Sequence, residues 1–245
     1  MEIALEVREV FLRIDESVIF QELSFTLRRG ESLLILGKSG SGKSLLLKVC
    51  AGLIIPEEGR VTLGGIDLAA APKEKLQRLR ERLGFVFQNS ALISNMAIYD
   101  NVALPARYHR GWTEAEVRAR VEEKMAWFDV DRAFDRSIPA QLSWEMHKRA
   151  ALARAFILEP ELLLLDEPTS GLEAEKAENL AGMIRDYQKR AGASLLMVGS
   201  EWPLFAHPAD RVGFLEGGRI VAEGTVEEMR GHMEKKRALN SKNSK

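Results

Sequence analysis

Short apolar runs that end in glycine or in acids alternate along this chain with stretches whose apolar residues recur every three or four positions, the pattern of buried strands separated by helices. ESLLILG (31–37) and ELLLLDEP (161–168) are continuous enough to be buried on both faces of a parallel sheet, and GFVFQ (84–88) and ASLLMVGS (193–200) read as further strands. SLLLKVCAGL, KEKLQRLRERL and 173–190 read as helices, the last with a stripe of Ala177, Leu180, Ile184 and Tyr187. In WTEAEVRARVEEKMAWF, Thr113 and Glu116 have the spacing of a capping box, while Val117, Val121, Met125 and Phe128 form one apolar face. EIALEV, FQELSFTL and RVTLGG read as short strands, and RVGFLEGGRIVAEG as a hairpin turning at Gly217 and Gly218. Together they predict an α/β fold with an N-terminal β subdomain, a mainly parallel sheet core and a helical subdomain. The expected division is one domain over 1–230, with the β subdomain and core in about 1–90 and 156–230 and the helical part in about 91–155. A polar, basic tail follows over 231–245.

Composition narrows the classes. A chain of 245 residues that is 46% hydrophobic can bury a sizeable core without cross-links, and its one cysteine, Cys50, sits among apolar residues as a buried thiol suited to a reducing cytosol. The sequence is charged from its second residue, and no apolar run approaches the roughly 18 to 20 residues of a membrane helix, so any membrane role is expected to be peripheral. A net charge of −1 offers no basic footprint, and nucleic acid is not an expected partner. His109, His147, His207 and His232 have no metal-ligand spacing.

The chemistry is concentrated in two motifs. Gly37, Lys38, Ser39, Gly40, Ser41, Gly42, Lys43 and Ser44 fit G-x-x-x-x-G-K-[ST] between an apolar strand and a helix. Glycines let backbone N–H groups turn around a phosphate, Lys43 reaches the β and γ oxygens, and Ser44 offers a hydroxyl to Mg²⁺. LLLLDE (162–167) places Asp166 as the second Mg²⁺ holder and Glu167 as the group that polarises an attacking water. The cofactors expected are therefore ATP and Mg²⁺.

With these two motifs and LSWEMHKRAALARAF (142–156) in one chain, the sequence resembles the nucleotide-binding domain of ATP-binding-cassette transporters over almost its whole length, which implies a P-loop, RecA-like fold whose N-terminal β subdomain is antiparallel. The resemblance implies that Gln88 senses Mg²⁺ and the membrane partner. It also implies that a second such domain pairs head to tail, so that Ser143 of one signature meets the ATP on the other, and that an integral permease docks along 88–105. FQNSAL, YDNVALP and Met146 look most like the ATPases of bacterial phospholipid transporters of the mammalian-cell-entry type, with lipoprotein-release and division ATPases close behind. The implied location is the cytoplasmic face of the membrane.

Two departures stand out. Trp144 and Glu145 replace the signature glycines, and Ser200 stands where the family has a histidine that contacts the γ-phosphate. An indole should block close approach, and a carboxylate at a helix N-terminus facing phosphate costs on the order of 3 kcal/mol per like-charge pair at ~5 Å and an effective dielectric of ~20. Slow or complex-dependent hydrolysis is the leading expectation, relieved by restoring Gly, Gly and His; a regulatory subunit that binds ATP without turnover is the alternative. Ile14 aligns with the adenine-stacking aromatic of the family, with Phe11 as a possible substitute.

Overall fold

The structure is a computed structural model describing residues 2–200 and 209–231, so His207, His232 and the tail beyond 231 lie outside the described residues. Strands β1 (Ile3–Ile14) and β2 (Ser17–Arg28) form a long antiparallel hairpin, joined on the β1 side by β4 (Glu58–Leu63) and then β5 (Ile66–Asp67). Both hairpin strands run to twelve residues where the sequence pattern shows only short β-like runs. The reason lies at the bulges: Glu9 (φ 50°) and Glu22 (φ 51°) are left-handed, and the β1 register shifts between Val7 and Val10. Val7 and Val10 are both buried although three apart, which breaks the period-two alternation that marks a strand. Gly59 crosses this bulge so closely that a Cβ would lie 2.4 Å from the Glu9 carbonyl oxygen.

The second sheet has the order β10-β9-β3-β8-β7-β6, built from β3 (Ser32–Leu36), β6 (Leu83–Val86), β7 (Leu162–Asp166), β8 (Ser194–Gly199), β9 (Arg211–Glu216) and β10 (Arg219–Thr225). All neighbours are parallel except the β9–β10 hairpin. Its central strands feed two cores by alternation. Leu33, Ile35, Leu162, Leu164, Leu196 and Val198 pack toward the antiparallel sheet and α1 (Lys43–Cys50), where Cys50 is fully buried and its thiol pushed up by burial. Leu34, Leu36, Leu163, Leu165, Leu195 and Met197 pack toward the other helices.

On that side lie α3 (Ile98–His109), α4 (Glu114–Trp127) and α5 (Trp144–Phe156), packed on one another, and α6 (Ala174–Ala191); α2 (Lys73–Arg80) lies on the opposite side through Leu76 and Leu79. The capping box forms as read: Glu116 N donates to the Thr113 hydroxyl, and Thr113 N to the Glu116 carboxylate. Val117, Val121, Met125 and Phe128 are buried, as is the α6 stripe. The carboxyl ends of β3, β6, β7 and β8 lead into Gly37, Gln88, Glu167 and Ser200, which puts the candidate residues along one edge of the sheet, where ligands of such sheets bind.

Candidate functional site

The loop after β3 is pinned at its start, where Gly37 N donates to the Gly199 carbonyl at the end of β8. Gly40 (φ 79°) and Gly42 (φ 93°) turn it in the left-handed region, and a Cβ on Gly42 would lie 2.9 Å from Ile19 and 3.1 Å from Phe20. Those two β2 side chains, which the sequence reading does not single out, therefore shape the loop's flank. Ile14 is exposed at the end of β1, and Phe11 is half-buried opposite Glu58. Lys38, Ser39 and Gly40 are exposed at the loop's rim. Lys43 is buried; its ammonium donates to the carbonyls of Gly37 (2.9 Å) and Lys38 (3.1 Å) and stands 3.8 Å from the Glu167 carboxylate. Ser41 Oγ is buried with no hydrogen-bond partner, an orphan hydroxyl inside the cradle.

At the end of β7, burial raises the Asp166 carboxyl above the ordinary range, a hydrogen bond from Ser44 works against that rise, and the neighbouring Glu167 charge adds to it. Ser44 and Asp166 are thus adjacent, as a shared cation requires. Glu167 sits at φ 46°, a strained setting for a non-glycine residue, with its N–H held by the Val198 carbonyl. Gln88 Nε2 donates to the Glu167 carboxylate at 3.2 Å. The structure thus brings Gly37, Lys43, Ser44, Gln88, Asp166 and Glu167 together, with Ser200 exposed directly after Gly199.

The signature segment departs from its sequence reading. Ser143 caps α5, its hydroxyl accepting from Met146 N at 3.3 Å. The Trp144 indole lies on the chain's own turn after β7: Nε1 donates to the Ser170 carbonyl at 3.1 Å, and a Cβ on Gly171 (φ 74°) would lie 2.8 Å from that nitrogen. Glu145 does not stand as a bare anion. Its carboxylate pairs with Arg149 at 3.0 Å and Lys176 at 3.2 Å; burial raises the carboxyl, but those two cations outweigh it and hold it below the usual range. The like-charge penalty expected from sequence is thereby reduced, because the counter-charges come from residues four positions on and from α6.

Three residues that carry structure here have no role in the sequence reading. Lys148 is fully buried on α5 and donates to the Gln88 carbonyl (2.7 Å), the Glu167 carbonyl (2.9 Å) and the Ser170 hydroxyl (3.4 Å); burial lowers its pKa to about 8. Arg154 clamps the carbonyls of Ser90 and Ala91, both at 2.7 Å, and so fixes two left-handed residues just beyond Gln88. Asn101 is fully buried and bonds Ile93 N together with the carbonyls of Ile93, Met96 and Ala97. The available signal was a cation or amide on a helix face otherwise filled with Ala and Val. Asn101→Ala is expected to destabilise the fold by about 2–4 kcal/mol, since a buried N–H loses its acceptor along with three further bonds. Denaturant unfolding checks this, and an unchanged midpoint would show that the 93–97 loop is held by other means.

A family model described as "ABC transporter" matches residues 20–170. The chain is 34% identical over 227 residues to a protein of Mycobacterium tuberculosis H37Rv named as a probable ribonucleotide transport ATP-binding protein, mkl, covering 93% of this chain and 63% of that one. It is 37% identical over 204 residues to the methionine import ATP-binding protein MetN of Mesorhizobium japonicum, covering 83% and 55%. The chain thus spans less than two thirds of the length of these relatives. Among solved structures, the dimeric post-hydrolysis ATP-binding cassette MJ0796 bound to ADP and Pi superposes with a TM-score of 0.84 at 26% identity, covering 91% of this chain and 98% of that one. CbiO1 of Clostridium perfringens, part of the ABC transporter complex cbiONQ, also gives 0.84 at 26% identity, covering 98% and 95%.

Proposed function

This chain belongs to the ABC transporter family, and from that premise we propose that it is the ATP-binding subunit of a membrane transporter, with residues 1–230 acting as one ATPase domain. The observation that carries the reading is the convergence of Lys43, Ser44, Asp166, Glu167 and Gln88 around a loop that keeps an orphan Ser41 hydroxyl. The residues fit Mg-ATP: Gly37 to Ser44 would hold the phosphates, and Ser44, Asp166 and Gln88 would hold Mg²⁺, which supplies charge neutralisation on the phosphate oxygens. Glu167 orients and polarises water, Gln88 sets the position of its carboxylate, and Lys43 binds phosphate charge. Two copies pairing head to tail would add Ser143 to the opposing site.

Among the described residues, no helix is long and apolar enough to cross a membrane. A peripheral place on the cytoplasmic face is proposed, through a permease bound along 88–105 and the rest of α3. Support comes from exposed apolar side chains there: Ile93 at 37%, Leu104 at 38% and Tyr108 at 73%. Met96 is half-buried, because the loop folds onto Asn101. Ile93→Glu, Leu104→Glu and Tyr108→Glu are each expected to cut recovery of the chain with membranes at least ~5-fold while leaving ATP binding intact, since a charge in an apolar contact costs 1–3 kcal/mol or more. If all three variants stay with the membrane partner, the docking surface is wrongly assigned.

A phospholipid substrate rests on the resemblance of FQNSAL and YDNVALP, and lipid analysis of the captured complex tests it. The second reading, a subunit that binds ATP as a scaffold without turnover, rests on Trp144 and Glu145 standing where the signature of the family has glycines. Single-turnover hydrolysis in the assembled complex separates the two.

A further inference from the structure

Of the buried cations among the described residues, Lys148 has the least ordinary surroundings. Its three N–H groups meet three acceptors on two segments: Gln88 O on the loop after β6, and Glu167 O and Ser170 Oγ on the turn between β7 and α6. The lysine itself comes from a third segment, α5. Above it, the Trp144 ring centroid lies 5.0 Å from the ammonium, and the same indole donates to the Ser170 carbonyl.

We propose that Lys148 is a positioning residue for Glu167, its ammonium joining the Gln88 loop to the 167–171 turn with the Trp144 indole as its cover. Glu167 needs such a hold, because its left-handed backbone is strained and its side chain depends on that backbone to meet Gln88. Val198 O fixes the Glu167 N–H, and Lys148, together with the N–H and hydroxyl of Ser170, fixes the Glu167 carbonyl. Together they leave the residue's peptide groups little freedom to turn. The cover makes Trp144 a contributor to its own chain's site. Glycine at 144 would supply neither the ring over the ammonium nor the N–H to Ser170. A lysine suits the place better than an arginine, since three acceptors converge on one nitrogen rather than on a planar fork.

The proposal rests on hydrolysis at Glu167, and its test separates the two ideas. In the assembled complex, Lys148→Met is expected to lower kcat ~10²-fold, the scale of a mispositioned catalytic group, with KM and Mg-ATP affinity within ~3-fold of wild type. Lys148→Arg, which keeps the charge in a poorer geometry, should recover part of that loss. Trp144→Gly, at an exposed and foldable position, should lower kcat ~10-fold, again with little change in KM. In the purified chain, hydrogen exchange across 167–171 should quicken ~10-fold in Lys148→Met and Trp144→Gly while α1 is unchanged. Wild-type kcat in Lys148→Met, equal losses in kcat and affinity, or a rise in kcat in Trp144→Gly would each overturn the proposal. If wild type binds ATP but never turns over, the hydrolytic reading fails by itself and exchange decides. Unchanged exchange at 167–171 in both variants then overturns the positioning role, and should Lys148→Met not fold, Trp144→Gly alone gives the answer.

Discussion

Glu167→Gln is expected to bind Mg-ATP at least as tightly as the wild-type chain while its turnover falls about 10²–10⁴-fold, the range of a lost general base. The amide has the shape of the carboxylate, so its carbonyl can still accept from Gln88 Nε2, and the left-handed backbone at 167 is held by Val198 and Lys148 in either case. What disappears is the negative charge 3.8 Å from Lys43, along with the capacity to polarise water. Losing that anion leaves the phosphate site more positive, which is why affinity does not drop. Lys43→Ala has the converse signature. Removing the ammonium that bridges Gly37, Lys38 and Glu167 weakens nucleotide binding about 10²-fold or more, the scale of a charge-assisted contact worth 1.5–3 kcal/mol together with the buried Glu167 charge left behind. Calorimetry with Mg-ATP and phosphate release in the assembled complex distinguish the two. Full turnover in Glu167→Gln would place the base elsewhere, and equal affinity in Lys43→Ala would take ATP off this loop.

The edge of the sheet that carries the candidate residues is legible in the sequence for a physical reason: β3 and β7 are buried on both faces, so their apolar runs are unbroken, and the polar residues at their tips mark where the strands leave the core. The α4 capping box and the α6 stripe are legible because each is a local periodicity within one helix. What the sequence hides is non-local. The twelve-residue strands of the first hairpin are masked by single-residue bulges at Glu9 and Glu22, which shift alternation by one. The partners of Glu145 are no clearer: Arg149 is one helical turn away, but Lys176 comes from another helix, so only the folded chain shows that the acid is paired. Lys148 is hidden for the same reason. All its acceptors lie between 19 and 60 positions away, on loops whose arrangement only the sheet sets.

Those hidden contacts change what should follow from repairing the altered positions. Sequence alone assigns slow turnover to Trp144, Glu145 and Ser200 together, yet the structure gives Trp144 and Glu145 partners within their own chain, whereas Ser200 is exposed and its side chain has no hydrogen bond among the described residues. It follows Gly199, whose carbonyl accepts from Gly37 N, so a side chain at 200 starts beside the phosphate loop. Ser200→His alone is therefore expected to raise turnover about 10²-fold, the usual worth of one donor to a developing phosphate charge. Trp144→Gly added to it should give back part of that gain, because it uncovers Lys148 and frees the Ser170 carbonyl. Glu145→Gly should add little, since the charge it removes is already paired and the tie from α5 to Lys176 goes with it. Steady-state ATPase of the single, double and triple variants in the assembled complex decides among these terms. A triple variant far faster than Ser200→His would mean that the two signature residues hold the rate back across the dimer after all, and that their contacts within the chain are broken before ATP is cleaved.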